Sequence, residues 1–288
     1  DAALERREVI QATLMRQTIH LVSRADYWPL EIGVRRARRE WFARVQASAI
    51  ANTDMAAVAR AVASALADGA LTRRELQARL EAGGLPAKAM GWVGEWVDLI
   101  RVPPSGTWAR RRADLYGLAA AQIGAEPELS EADALVHLLR RYLGAFGPAT
   151  LDDAAKWAGV PRPLLARAAE RLELRHFTDD AGADLIDLPG ALLPDPDTPA
   201  PVRFLPTWDA TLLVHARRAA ILPERYRPVI FATKMPPSYP TFLVDGQVAG
   251  TWRHVVGHIE ATSFEPLSRP VARELETEGE RLAALHAD

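Results

Sequence analysis

Between residues 130 and 188, apolar side chains recur with the spacing of three short helices followed by two strands. The first helical stripe stops at Gly147. Thr150 and Asp153 then have the spacing of a capping box, which predicts a second helix from Leu151 to about Ala158. A third helix carries apolar residues on one face and arginines on the other. The hairpin strands are expected over Leu174–Thr178 and Asp184–Leu188. This order is typical of a winged helix-turn-helix.

The same order of helix caps, apolar helical stripes and turns occurs earlier in the chain, from residue 54 onward. Thr72 with Glu75 forms a second capping box, at the place in its unit that Thr150 holds in the later one. The elements expected to complete this copy are a helix over Ala87–Asp98, a strand over Leu99–Val102 and a return strand near Thr107. The pattern is therefore an internal repeat of about 75 to 80 residues.

The residues before 54 match the end of a further unit. We expect a helix from Leu4 to Ala12 and a strand around Thr18–Val22. A capping box at Ser23 then begins a long amphipathic helix that ends near Asn52. Because the chain opens with Asp1 in the middle of this pattern, we expect further residues to precede it.

After Val202 the helical spacing gives way to short β-type runs, and Asp245-Gly246 is a type I′ hairpin signal. A closing helix is expected from Ser268 or Arg269 to Ala287. The expected strands are Val202–Leu205, Leu212–Ala216, Val229–Thr233, Thr241–Val244 and Gln247–Arg253.

These patterns predict a mainly α protein with β wings, in which tandem winged helix-turn-helix modules precede a C-terminal α+β domain. The predicted domains are a remnant of a first winged helix with its linking helix (1–53), a second winged helix (54–125), a third (126–197) and the α+β domain (198–288).

The composition narrows the chemistry. The chain has 288 residues, 49% of them hydrophobic, and no cysteine, which excludes disulfides and thiolate metal sites. No apolar run approaches the ~20 residues that span a bilayer, so we expect no membrane partner and a cytoplasmic location. The absence of a phosphate-binding glycine loop argues against a nucleotide cofactor. His254 and His258 lie in strand-like sequence, so neither a metal nor any other cofactor is expected.

Positive charge is local, since the net charge is only −2 but arginines cluster at 35–39 and 110–112. Repeated modules of this kind favour double-stranded DNA as the partner, because tandem readers add phosphate contacts along a duplex. The alternative for the arginines is pairing with nearby glutamates. The sequence shows no dedicated dimerisation helix, so a monomer is expected. A transcriptional regulator and a protein-interaction scaffold are the competing functions.

Four motifs in this order resemble those of the winged-helix DNA glycosylases, the AlkZ and YcaQ family. The motifs are Arg16-Gln17-Thr18-Ile19-His20-Leu21, Phe146-Gly147-Pro148-Ala149-Thr150 with Asp153 and Trp157, Leu205-Pro206-Thr207-Trp208-Asp209, and the run from Leu243 to Arg253. They cover nearly the whole chain.

The resemblance implies three tandem winged helices around a concave, DNA-sized channel. It also implies a monofunctional glycosylase that removes alkylated or crosslinked purines. The catalytic signature of the family is a Gln-x-Gln or Gln-x-Asp pair in the first module, and no glutamine of this chain has such a neighbour. Because the pair belongs upstream of Asp1, no catalytic residue is carried over.

The remaining catalytic candidates are weak. His20 shares a strand face with Thr18, and Asp209 follows Trp208 at a polar boundary; the alternatives are a structural histidine and a turn-capping aspartate. The hairpin tip near Gln247 either reaches into the minor groove of DNA or is simply a tight turn. The predicted DNA-binding residues are Arg16, Thr18, Arg162, Arg167, Gln247 and Arg253.

Overall fold

A computed structural model describes residues 1–110, 114–215, 219–231 and 238–287. They form two compact units, Asp1–Ala191 and Leu192–Asp288. The helices are α1 Ala2–Glu5, α2 Arg24–Val45, α3 Ala47–Ile50, α4 Met55–Ala65, α5 Arg73–Ala82, α6 Ala119–Ile123, α7 Glu131–Phe146, α8 Leu151–Ala158, α9 Arg162–Ala169, α10 Ala210–Leu213, α11 Arg227–Ile230 and α12 Arg269–Ala287. The strands are β1 Val9–Thr13, β2 Ile19–Ser23, β3 Leu71–Thr72, β4 Leu99–Arg101, β5 Leu115–Leu118, β6 Arg175–Thr178, β7 Asp184–Asp187, β8 Arg203–Leu205, β9 Thr241–Val244, β10 Gln247–Val255 and β11 His258–Ser263.

The first unit contains a five-stranded antiparallel sheet in the order β2-β1-β4-β5-β3. Its central register places Ala12 of β1 opposite Ile100 of β4, and both residues are fully buried. Residues on β1 alternate between half-buried and buried, as a strand with one face on a core requires. The sheet thus joins segments that lie some ninety residues apart in sequence, and it brings polar residues of β1 and β4 together.

Two hydrophobic cores support this sheet. In the larger one, α2 packs along α7, and the contact is close because a Cβ on Gly33 would lie 3.4 Å from the backbone of Ala134. The smaller core lies between α4, α5 and the segment before β4, with Val58, Leu76 and Val93 almost inaccessible. Each such side chain contributes about 1.5–3 kcal/mol of burial.

The helix caps at Thr72 and Thr150 and the hairpin after α9 agree with the elements predicted from the sequence. Thr150 accepts a hydrogen bond from the Asp153 amide at 3.0 Å, and Thr72 accepts one from the Glu75 amide at 3.2 Å. Helix α8 ends at Gly159, whose left-handed φ of 71° suits glycine. The predicted strands of the following hairpin pair as β6 and β7.

Three predictions in the first unit are wrong. The helix expected over Leu4–Ala12 ends at Glu5, because Val9–Thr13 gains a hydrogen-bonded partner on each side as a strand. The helix expected over Ala87–Asp98 is replaced by two 3₁₀ turns, 87–91 and 93–95, since glycines at 91 and 94 favour tight turns over a continuous α-helix.

The third concerns the return strand expected near Thr107. That residue lies in a turn, where its hydroxyl donates to the Pro104 carbonyl at 2.7 Å, and the strand that returns to β4 is β5. The long helix also ends earlier than expected, at Val45, and the short α3 follows it.

The second unit is a four-stranded antiparallel sheet in the order β11-β10-β9-β8, with α12 packed against it. Asp245 and Gly246 have φ values of 49° and 73°, which confirms the predicted turn. The strands expected at Leu212–Ala216 and Val229–Thr233 are wrong, because 210–213 and 227–230 are helical; residues 216, 232 and 233 lie outside the described residues. The fold is α+β with antiparallel sheets.

None of the helices that the structure describes combines the length and apolarity needed to cross a bilayer.

Candidate nucleic-acid interface and an acidic cavity

The turn between β1 and β2 carries two of the predicted site residues, Arg16 and Thr18. Arg16 and Gln17 have left-handed φ values of 53° and 59°, and a Cβ on Gly159 would lie 3.1 Å from the Arg16 backbone nitrogen. Burial lowers the pKa of Arg16 to about 10. The Thr18 hydroxyl donates to the Met15 carbonyl at 3.1 Å. The turn therefore packs tightly against the end of α8.

His20 lies on β2 just beyond this turn. Its Nδ1 is 2.9 Å from the Thr18 carbonyl, and burial lowers the pKa of the imidazole. These are the contacts of a histidine that holds a local turn, which was the structural alternative for it.

Helix α9 presents its arginines to solvent. Leu165 and Ala168 face the core, while Arg162 and Arg167 are exposed. Arg162 lies 3.3 Å from Asp152 in an exposed pair, which solvent screens. Arg167 makes no ion pair with any residue the structure describes. One short helix thus holds two of the predicted DNA-binding side chains, with Arg167 available to a phosphate.

The remaining predicted residues belong to the second unit. Asp209 accepts a hydrogen bond from the Thr211 amide at 2.8 Å and so caps α10, the turn-capping alternative considered for it. Gln247 is exposed at the start of β10. Arg253 donates to Glu260 across the β10–β11 pair at 2.6 Å.

The arginine clusters that suggested a basic patch are largely engaged by carboxylates. Arg36 lies 3.0 Å from Glu131, and Arg35 lies 2.8 Å from Glu126. Arg110 lies 3.9 Å from Asp114, and residues 111 and 112 of that cluster fall outside the described residues. The pairing alternative accounts for most of this charge.

A polar cavity of about 220 Å³ lies between α2, the 3₁₀ turns and the sheet of the first unit. Its floor is Arg38, which is 6% exposed and donates to both oxygens of Glu31 at 2.9 Å and to Glu95 at 2.7 Å. The same guanidinium donates to the Thr13 carbonyl at 3.0 Å. Because every neighbour of Arg38 is an acceptor, this buried charge is well compensated.

Asp98 is the unusual acid at this cavity. Burial raises its pKa to about 6; Glu31 and Glu126 add to the shift, and Arg35, 3.3 Å from its Oδ1, opposes it. Burial also raises the pKa of Glu95, against the effect of Arg38. A carboxyl group that titrates near neutrality in a cavity is a candidate for binding or proton transfer.

Comparison with known proteins decides the family. The family model of the DNA glycosylase AlkZ-like proteins matches residues 1–285. The chain belongs to the AlkZ-like DNA glycosylase family. The match favours the glycosylase resemblance over the transcriptional regulator.

A relative and a solved structure point the same way. The interstrand DNA cross-link repair glycosylase of Streptomyces sahachiroi is 26% identical over 316 aligned residues, which cover 96% of this chain and 80% of the relative. The structure of the DNA glycosylase AlkZ from Streptomyces sahachiroi superposes with a TM-score of 0.78 at 21% identity, over 98% of this chain and 81% of that one. At this identity the superposition shows a shared fold.

Sequence reasoning about this family member missed the acidic cavity. Glu31 and Arg38 stand seven residues apart on α2, so they share one face of the helix, and that face also carries the buried Val34. A pair of opposite charges within an apolar stripe was the available signal. Asp98 gave none, because its surroundings come from elements distant in sequence.

Proposed function

We propose that this chain is a monofunctional DNA glycosylase that hydrolyses the N-glycosidic bond of alkylated or crosslinked purines in double-stranded DNA. The observation that carries this is the family match along residues 1–285. The Streptomyces sahachiroi relative is an interstrand DNA cross-link repair glycosylase, which supports the choice of substrate.

The chemistry fits a site rich in carboxylates. An N-alkylated purine is already cationic and leaves without a general acid, while the sugar becomes oxocarbenium-like and a positioned water attacks it. Negative charge close to that sugar stabilises the transition state.

We further propose that the two repeated segments act as winged helices on the duplex, within the predicted limits 54–125 and 126–197. The order α7, α8, α9, β6, β7 supports this for the second of them. In this arrangement α9 lies in or beside a groove, and Arg162 and Arg167 contact DNA there. Gln247, at the β9–β10 turn, and Arg253, further along β10, approach the minor groove, and Arg16 and Thr18 border the bound strand. The protein acts as a monomer.

Base release tests the proposal. A duplex containing one N7-methylguanine is incubated with the chain and then treated with alkali, and cleavage at the abasic site is compared with a sample without protein. We expect base release above the spontaneous rate and strand cleavage only after alkali. Release no faster than in the protein-free sample would refute a glycosylase. A gel-shift series in salt, run on the same duplex, distinguishes a DNA-binding protein without catalysis from a scaffold, because phosphate contacts weaken steeply with salt.

A further inference from the structure

Two hydrogen-bond donors at the acidic cavity have no acceptor among the described residues. Gln17 Nε2 and Arg101 Nε are buried and lack a hydrogen-bond partner within the part of the chain that the structure describes. Another nitrogen of Arg101 donates to the Thr13 hydroxyl at 3.0 Å, which fixes the guanidinium in place. Buried N–H groups are almost always satisfied in folded proteins, so two orphans at one cavity point to acceptor atoms that a ligand brings.

The backbone at Gln17 supports the same interpretation. Gln17 and its neighbour Arg16 hold consecutive left-handed φ values of 59° and 53°, a conformation that non-glycine residues seldom adopt. Strained backbone of this kind is concentrated at ligand sites, where the surrounding packing maintains it. Here the strain places the Gln17 amide at the cavity.

On the acceptor side, Asp98 is the carboxylate that the fewest donors engage: Arg35 donates to its Oδ1 at 3.3 Å, and in its protonated form it hydrogen-bonds Glu31. Arg38 occupies both oxygens of Glu31 and binds Glu95, whereas the only cation close to Asp98 is Arg35 at 3.3 Å, among the described residues. The cavity therefore presents a carboxylate and two N–H donors to whatever enters it.

The size and walls of the cavity suit a flat bicyclic ring. Phe42, Trp92 and Tyr116 line it beside the polar groups. A cavity of about 150 Å³ accommodates benzene, so the 220 Å³ here, open on one side, has room for a purine. The lining residues that are exposed include Arg73, Gly91 and Gly94, which places the opening beside the 3₁₀ turns.

On the basis of the glycosylase function argued above, we propose that this cavity receives the extruded base and reads it as a guanine. Asp98 accepts the N1–H and N2–H of the base, and Gln17 and Arg101 donate to its O6. Adenine presents an amino group where guanine has O6, and an acceptor at N1. Cytosine offers the carboxylate one donor group instead of two. The edge of guanine is thus the best complement to the cavity.

The protonation of Asp98 adds a second signature. The charged and titratable groups that face it are Tyr27, Glu31 and Arg35 from α2 and Glu126 from the segment after α6. Only the ionised Asp98 accepts both N–H groups, so guanine binding should strengthen as the pH rises through about 6.

The test is calorimetric binding of free 7-methylguanine, adenine, hypoxanthine and cytosine to the full chain, with base release measured in parallel. We expect 7-methylguanine to bind about tenfold or more tightly than adenine or cytosine, and hypoxanthine, which lacks the amino group, to fall between them. Asp98→Asn should lose this preference and its pH dependence. Glu40→Gln is the matched control, since Glu40 is exposed on α2, pairs with Arg36 and does not line the cavity.

Each outcome discriminates. Equal binding of guanine and adenine, tighter binding of cytosine, or unchanged selectivity in a folded Asp98→Asn protein would overturn the guanine pocket. If the wild type releases bases from the duplex but binds no free guanine, the pocket lies elsewhere while the glycosylase function stands. If it binds guanine selectively but releases none from the duplex, the cavity assignment survives and the catalytic proposal fails.

Discussion

Replacing Arg38 by methionine should destabilise the first unit strongly. The guanidinium is 6% exposed and lies between Glu31 and Glu95, themselves 2% and 6% exposed. Methionine fills much of the volume but leaves two buried carboxylates. Glu31 keeps an ion pair with Arg35 at 3.3 Å, whereas Glu95 keeps only the charge of Arg39, with no salt bridge to it among the described residues. Removing one partner of a buried ion pair costs about 3–5 kcal/mol.

The cost depends on pH in a defined direction. The pKa of Glu95 is already raised by burial, and without Arg38 it rises further, so Glu95 escapes the uncompensated charge by taking up a proton. The loss is therefore largest above neutrality and shrinks as the pH falls below the new pKa. Adding Glu95→Gln to the Arg38→Met background should recover part of the stability at pH 8.

Urea unfolding followed by tryptophan fluorescence measures this effect, with thermal unfolding as a second readout. For a unit of this size, 3–5 kcal/mol corresponds to roughly 6–20 °C in Tm. Arg36→Met is the matched control: Arg36 is on the same helix, 52% exposed, and its pairs with Glu131 and Glu40 are worth about 0–1 kcal/mol. If Arg38→Met loses no more stability than Arg36→Met, the buried cluster does not support the fold as described.

Three further predictions rest on other contacts. The folded-state pKa of Asp98 is about 6 against an ordinary 3.8, so its contribution to stability is lost as the pH rises through that range. The free energy of unfolding of Asp98→Asn should then exceed that of the wild type by about 1–3 kcal/mol at pH 7.5 but not at pH 4. If the variant and the wild type are equally stable at both pH values, Asp98 is not buried as described. Arg167→Ala should reduce the magnitude of the slope of log K against log salt for duplex binding by about 1. Arg171→Ala, which removes a side chain paired with Asp133, should reduce it less. Identical slopes for the two variants in a gel-shift series would exclude a phosphate contact by Arg167. A Cβ on Gly250 would clash with the Thr262 carbonyl oxygen and the Phe242 ring, so Gly250→Ala should lower the Tm of the second unit by several degrees. Gly279→Ala in α12, whose Cβ would meet no atom closer than 3.6 Å, should leave the Tm unchanged or raise it slightly, because alanine favours a helix more than glycine does. Equal effects of the two variants would refute this account of β10.

Local signals in the sequence predicted what local geometry decides. The caps at Thr72 and Thr150, the end of α8 at Gly159 and the turn at Asp245 depend on a few consecutive residues, and all are found in the structure. The strand Val9–Thr13 was missed because its partners are β2 and the distant β4, whose hydrogen bonds outweigh the local helical preference.

The candidate sites differ in the same way. Arg167 on α9 could be identified from a helical pattern alone, since the inward positions of that helix are apolar. The cavity could not, because Thr13 and Arg101 meet only through the pairing of β1 with β4, and Asp98 acquires its neighbours from α2 and the segment after α6. A pattern within one element carries no information about such a meeting point.

The distribution of unfavourable features in the first unit argues that the cavity has a function beyond packing. Arg38 shows that this part of the fold can satisfy a buried charge fully, with an acceptor for each of its donating groups. At the same cavity, the fold keeps Gln17 in a strained conformation, leaves Arg101 Nε without an acceptor among the described residues and raises the pKa of Asp98. Each of these three features lowers the stability of the folded protein. Because the same part of the fold satisfies Arg38 fully, a ligand that relieves the three features when it enters the cavity is the best explanation for them. Such a ligand must supply an acceptor to Gln17 and Arg101 and donors to Asp98, which an extruded guanine does.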